Sequence, residues 1–157
     1  MNNLTFCLKI SFCLIFLNPS LISCKNEFTI QRQNDEDDKR EGEKVMDNYF
    51  DNILLEKPSE NKLLYSEAFF KESSKEELQQ QNQFIEEKLG KIEGKTLQHW
   101  ETFVVTGTSS KSEYLFVYNV EREKYNSVET FYLMKEPSDS IKIHSYKIDS
   151  KGLLTSE

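Results

Sequence analysis

Ser112-Glu113-Tyr114-Leu115-Phe116-Val117-Tyr118-Asn119-Val120-Glu121 decides the fold class. Tyr114, Phe116, Tyr118 and Val120 recur at every second position. Successive side chains of a strand point to opposite faces, so this spacing gathers four large side chains on one face of a sheet. Before this stretch, Gly107-Thr108-Ser109-Ser110-Lys111 is turn material, and residues 96–106 are rich in β-branched and aromatic residues. After it, a charged bend at 122–124 leads into a strand over 126–134, with Val128, Thr130, Tyr132 and Met134 on one face. Pro137-Ser138-Asp139 turns the chain again, into a strand over 141–148. Connections this short predict an antiparallel meander, because parallel neighbours need a long crossover.

Upstream, the apolar period changes from 2 toward 3.6. Val45, Met46, Tyr49, Phe50, Ile53 and Leu54 form one face of a first helix, ended by Lys57-Pro58. A second helix is expected from a Ser59 cap to about residue 70, carrying Leu63, Leu64, Ala68 and Phe69. The third has a capping box, with Ser74 at the N-cap and Glu77 three residues on. Leu78, Ile85 and Leu89 share its stripe, helped by Phe84, and Gly90 suits its C-terminal end. The expected fold is α+β, with three N-terminal helices packed on a four-stranded antiparallel meander over residues 43–157.

The first 24 residues contain no Asp or Glu. An apolar run over 10–17 follows Lys9 and is broken by Asn18-Pro19-Ser20. That is the order of a secretory signal, and the run is too short to span a bilayer. Leu21-Ile22-Ser23-Cys24 resembles the lipobox of bacterial lipoproteins. The resemblance implies removal of residues 1–23 as a signal peptide, fatty acylation at Cys24, and a membrane as partner through that lipid. Lys25-Asn26 follows, with no Asp directly after the Cys. By resemblance to enterobacterial sorting this favours the outer membrane of the cell envelope over the inner. Residues 24–42, nearly all charge from Asn34 onward, are expected to be an acidic flexible tether holding the domain off the lipid. The acidic run lacks the ligand spacing and turn glycine of a calcium loop.

Composition narrows the function. The chain has 157 residues, 30% of them charged, and a formal net charge of −7. Nucleic-acid binding needs clustered Lys and Arg to release counterions, so this balance argues against it. Cys7, Cys13 and Cys24 are the three cysteines, so the domain beyond them has no disulfide and no thiolate ligand or nucleophile. A domain of roughly 115 residues buries about two thirds of its unfolded surface and can stand on its core alone.

No catalytic residue, metal site or cofactor is expected. His99 and His144, the two histidines, have no second ligand at metal spacing. They could still become neighbours in the sheet. Glu101, Glu113, Glu121 and Glu129 fall on strands, where two cross-strand pairs (Glu101 with Glu113, Glu121 with Glu129) are conceivable. A solvent-facing position is the favoured reading for all four. No Gly-x-Ser-x-Gly or phosphate-loop pattern occurs. Aromatic residues concentrate on the strands. Trp100, Tyr114, Tyr118 and Tyr132 are the candidates for a ligand-facing concave surface, with core packing as the competing account.

The third-helix ending at 84–90 (Phe-Ile-Glu-Glu-Lys-Leu-Gly), the meander, and the last strand Ile141-Lys142-Ile143-His144-Ser145-Tyr146-Lys147-Ile148-Asp149 together resemble a group of small secreted bacterial domains. The group has a cystatin-like or nuclear-transport-factor-like cone, and the resemblance covers residues 43–150. It implies architecture alone, since such folds host enzymes, binders and assembly modules alike. The expected function is a non-enzymatic domain binding a ligand or an envelope protein partner. The alternative is an envelope inhibitor or immunity protein, its acidic surface steering a basic toxin or hydrolase.

Overall fold

Acidic residues in a row begin a helix here. Asp35 is extended, and its carboxylate accepts hydrogen bonds from the Asp37 and Asp38 amides, which makes it an N-cap. Glu36, Asp37 and Asp38 then fill the first turn, where negative charge meets the positive end of the helix dipole. A computed structural model describes residues 29–107 and 109–154. In it, a strand, β1 (Ile30–Gln33), precedes this cap, and α1 runs Glu36–Leu54. Of the tether expected over 24–42, residues 30–33 and 36–42 are therefore strand and helix. The expected signal peptide and the expected lipidation site Cys24 lie outside the described residues.

The apolar pattern misses this half of α1 because its buried stripe continues through residues without apolar bulk. Asp38 is buried and takes two bonds from Arg32 of β1, Nε to Oδ2 at 2.9 Å and Nη2 to Oδ1 at 2.6 Å. Gly42 is buried as well. A Cβ there would stand 2.6 Å from the Phe116 ring and 3.0 Å from the Tyr114 ring, so glycine lets the helix seat on these two aromatics.

α2 (Phe69–Glu72) and α3 (Lys75–Leu89) follow. The capping box of α3 forms as expected: Ser74 N–H donates to Glu77 Oε2 at 2.7 Å, and Glu77 N–H donates to Ser74 Oγ at 3.1 Å. The expected second helix does not form as one element. Pro58–Leu63 is a 3-10 turn, and Tyr65 then forms a parallel bridge to Ile143. Ile143 N–H donates to Leu64 O at 2.8 Å, and Ser66 N–H donates to Ile143 O at 3.0 Å. Pairing with a distant strand overrides local helix propensity at these residues.

β2 (Ile92–Thr106), β3 (Lys111–Arg122), β4 (Ser127–Lys135) and β5 (Ile141–Asp149) form the expected meander. Among the described residues the sheet has five strands in the order β1-β2-β3-β4-β5, with β1 the unforeseen edge strand. The class is α+β with an antiparallel sheet. Tyr114, Phe116, Tyr118 and Val120 of β3 are all buried on the inner face, with Phe131, Leu133 and Ile143 from the neighbouring strands. α1 adds Met46, Tyr49 and Phe50 to this cluster. Tyr49 meets Phe131 edge-on at 5.0 Å between ring centroids, and Phe50 meets Tyr118 at 5.1 Å, the T-shaped geometry aromatic rings favour.

Gly42→Ala tests the seating of α1. The ring contact costs about 1–3 kcal/mol, against about 1 kcal/mol gained in helix propensity. We expect a net loss of about 1 kcal/mol, read as a lower urea midpoint with unchanged slope. A midpoint at or above the wild-type value contradicts the close approach to Phe116.

Candidate functional site

α1, the 3-10 turn, α3 and the far end of the sheet enclose a cleft of about 300 Å³. Its apolar wall comes from Ile53 and Leu54 of α1, Pro58, Ile85 of α3 and Ile92 of β2. Tyr49, Asn61, Asn82, Arg122 and Tyr146 supply its polar lining. Lys91 and Glu56 stand at its rim as an exposed ion pair, Nζ to Oε1 at 3.2 Å. Such a pair contributes little to stability, because water screens it.

A carboxylate lies behind the cleft floor. Glu129 of β4 alternates with Phe131 and Leu133, and its side chain is 0% exposed. Arg122, 6% exposed, donates from Nη2 to Glu129 Oε1 at 2.6 Å. Arg122 Nε donates to Ser127 Oγ at 3.2 Å, and Nη1 to the Gly90 carbonyl at 3.3 Å. Ser127 Oγ in turn donates to Glu129 Oε1 at 2.9 Å, and Tyr146 Oη to Glu129 Oε2 at 3.0 Å. Every nitrogen of the guanidinium and both carboxylate oxygens are thus engaged. A buried ion pair is tolerated when its geometry and remaining hydrogen bonds are satisfied in this way.

Phenols and amides complete the floor. Burial pushes the Tyr146 phenol well above its ordinary range, and the neighbouring Glu129 charge pushes in the same direction. Burial likewise raises Tyr49, with Tyr65 and Tyr146 adding to the effect. The Tyr65 hydroxyl is buried and makes no hydrogen bond of normal geometry, although it lies close enough to Tyr49 for the two phenols to influence each other. Asn61 is held from both sides: its Nδ2 donates to Tyr49 O at 3.0 Å, and its Oδ1 accepts from Asn52 Nδ2 at 2.9 Å.

The four residues expected to face a ligand are not gathered at one site, although Tyr114 and Tyr132 share the lining of a separate hollow with Glu113. Tyr114 and Tyr118 are buried under α1. Trp100 pairs with Phe116 on the inner face, half-buried, with the Lys39 ammonium 5.1 Å above its ring. Tyr132 pairs with Leu115 on the opposite face and donates to Glu113. None of the four lines the cleft. The reason is strand alternation: α1 fills the face that holds Tyr114 and Tyr118, while Tyr132 has the other parity. Tyr49 and Tyr146 line the cleft instead.

The glutamates also part company. Glu101 pairs with Leu115, Glu113 with Phe103, Glu121 with Gly94 and Glu129 with Tyr118, so neither conceivable carboxylate pair is directly opposed. Glu129, expected on a solvent face, is buried. Both parities of β4 look apolar in sequence, so the alternation alone does not mark the set containing Glu129, Phe131 and Leu133 as the covered face. His99 bonds Glu101 at 2.9 Å on β2, while His144 sits at a bulge of β5 with its Nε2 buried and unpartnered. β2 and β5 are three strand spacings apart, about 14 Å, so the histidines are not neighbours. Among the described residues no three His, Cys, Asp or Glu converge, and no helix is long and apolar enough to cross a membrane. Comparison with protein-family models, curated proteins and solved structures finds no match.

Two measurements probe this floor. Arg122→Met strands the buried Glu129 charge and is expected to cost about 3–5 kcal/mol, whereas Arg122→Met with Glu129→Met recovers most of that loss. Denaturant titration of the cycle checks this, and additive losses refute the coupling. The second is alkaline stability. Phenols raised in the folded state contribute fully below their unfolded value of about pH 10 and lose that contribution as pH climbs through the folded values. Unfolding free energy should therefore fall steeply above about pH 10, with Tyr146→Phe showing a shallower fall. Equal slopes for the two proteins contradict a strongly raised Tyr146.

Proposed function

We propose that this chain is a lipid-anchored protein of the bacterial cell envelope, held by acyl chains on Cys24, and that its domain binds a small ligand in the cleft without transforming it. The observation that carries the binding reading is the closed polar floor. Arg122 and Glu129 are committed to each other, to Ser127, to Tyr146 and to a backbone carbonyl. A general acid or base must instead reach a reacting proton. A rigid floor, an apolar wall and a few phenol and amide groups match the usual make-up of a ligand pocket. Helices over an antiparallel sheet also fit the cystatin-like cone that the sequence resembles. The cleft volume of about 300 Å³ sits at the small end of ligand sites and favours a compact, largely apolar guest with one or two hydrogen-bonding groups.

Envelope placement rests on the leader and on Leu21-Ile22-Ser23-Cys24. Two or more acyl chains hold a protein stably, since each buried methylene contributes about 0.8 kcal/mol. The outer membrane is the proposed site, from Lys25-Asn26 after the Cys.

Intact mass of the native protein and of Cys24→Ala tests the anchor. Acyl mass is expected on the first and absent from the second. For the cleft, a panel of small uncharged aromatic and aliphatic compounds is screened by amide chemical shifts. Compounds that perturb Ile53, Ile85 and Ile92 should do so in the wild type and fail in Asn82→Trp, a half-buried position whose enlargement fills the cleft. Perturbations that persist unchanged in a folded Asn82→Trp protein place binding elsewhere.

A further inference from the structure

The structure shortens the chain between the proposed anchor and the folded domain. Ile30 is already in the sheet, paired with Thr106 at the edge of β2. Residues 24 to 30 are six peptide steps, which span at most about 20–22 Å whatever conformation they take. A tether lasting to residue 42 reaches about 65 Å. Part of the shorter leash lies within the headgroup layer, about 5–8 Å deep in each leaflet, leaving about 15 Å above it.

Resting on the lipid anchor proposed above, we infer that the end of the sheet carrying the β2–β3 and β4–β5 turns faces the bilayer, and that the cleft opens at the end turned away from it. β1 enters the sheet beside the β2–β3 turn, because Ile30 pairs with Thr106. The β4–β5 turn is at the same end, since Glu113 near the start of β3 pairs with Met134 near the end of β4. The cleft is at the other end, where Ile92 pairs with Arg122 and both line it. Along β2 these ends are separated by the 15 residues of the strand, a path of about 45–50 Å that its two irregularities shorten only locally. A body this long, held at one end by a leash of about 15 Å above an impenetrable plane, keeps its held end nearer the plane on average.

Charge does not set this orientation. Lys111 and Lys135 are at the held end, but Lys111 pairs with Glu113 at 2.8 Å, and Lys135 with Asp139 at 3.0 Å and Glu41 at 3.5 Å. The leash does the orienting, and the bilayer is a surface the domain stands on. A soluble guest then reaches the cleft from the aqueous side without crossing the lipid headgroups.

Fluorophores placed one at a time on Ser138→Cys, in the β4–β5 turn, and Lys57→Cys, beside the cleft rim, test this in the full acylated chain. The introduced thiol is the one free thiol of the mature protein, because Cys24 carries its lipid and Cys7 and Cys13 leave with the signal peptide. The protein is reconstituted in phosphatidylethanolamine and phosphatidylglycerol vesicles containing a headgroup-linked quencher. Quenching at position 138 should exceed that at 57 by at least about twofold, given the leash length. Inserting 20 Gly and Ser residues after Asn26 adds about 25 Å of root-mean-square reach and should abolish most of the difference. Equal or reversed quenching in vesicle-bound protein overturns the orientation while leaving the anchor intact. A difference that survives the insertion overturns the leash as its cause. Protein that carries no acyl mass and stays off the vesicles overturns both the anchor and this inference.

Discussion

A carboxylate with no access to water must be answered by its neighbours, and Glu129 organises one end of this domain for that reason. Its partners come from every side: Arg122 and Ser127 flank the β3–β4 bend, and Tyr146 reaches over from β5. Arg122 then carries the link to α3 through the Gly90 carbonyl, satisfying a backbone acceptor at the helix end. One buried charge thus ties three strands, a helix terminus and the cleft floor into a single network. Fixed polar groups of this kind pre-order a surface, which lowers the cost of ordering it around a guest.

At the other end, the corner between β1 and α1 plays the matching role. Asn34 has φ +51, in the left-handed region where Asn is among the better tolerated residues. Its amide donates to Thr102 O at 3.0 Å, and its side-chain oxygen accepts from Thr102 N–H at 3.0 Å. Asp35 N–H donates to the Thr102 hydroxyl at 3.2 Å. With the Arg32–Asp38 pair, these bonds fasten an edge strand of four exposed residues that has little burial of its own. The way residues 30–35 enter the sheet and turn into α1 follows from this corner.

Between these ends lies the aromatic core that holds α1 against the sheet. The helix crosses Tyr114 and Phe116 at Gly42, and further along Tyr49 and Phe50 interleave with Tyr118, Phe131 and Tyr146. This packing takes up the tyrosines that composition alone suggests for ligand contact. The aromatic lining left to the cleft is Tyr49 and Tyr146, whose rings belong partly to the core.

The sequence by itself determined the features that depend on neighbours along the chain. Alternation in 112–121 and short turns specify the meander, and Ser74 with Glu77 specifies the start of α3, because each is a local balance of sterics and hydrogen bonds. Tertiary structure decided what needs a distant partner. Asp38 and Gly42 read as solvated tether until Arg32 folds beside the one and Phe116 lies beneath the other, and Tyr65 reads as helical until Ile143 offers its backbone. The β4 faces could not be told apart by hydropathy, since Val128, Thr130, Tyr132 and Met134 look as apolar as the set with Glu129. Which face is covered depends on where α1 packs, and burying a charge becomes tolerable only when its counter-charge and hydrogen bonds are already in place.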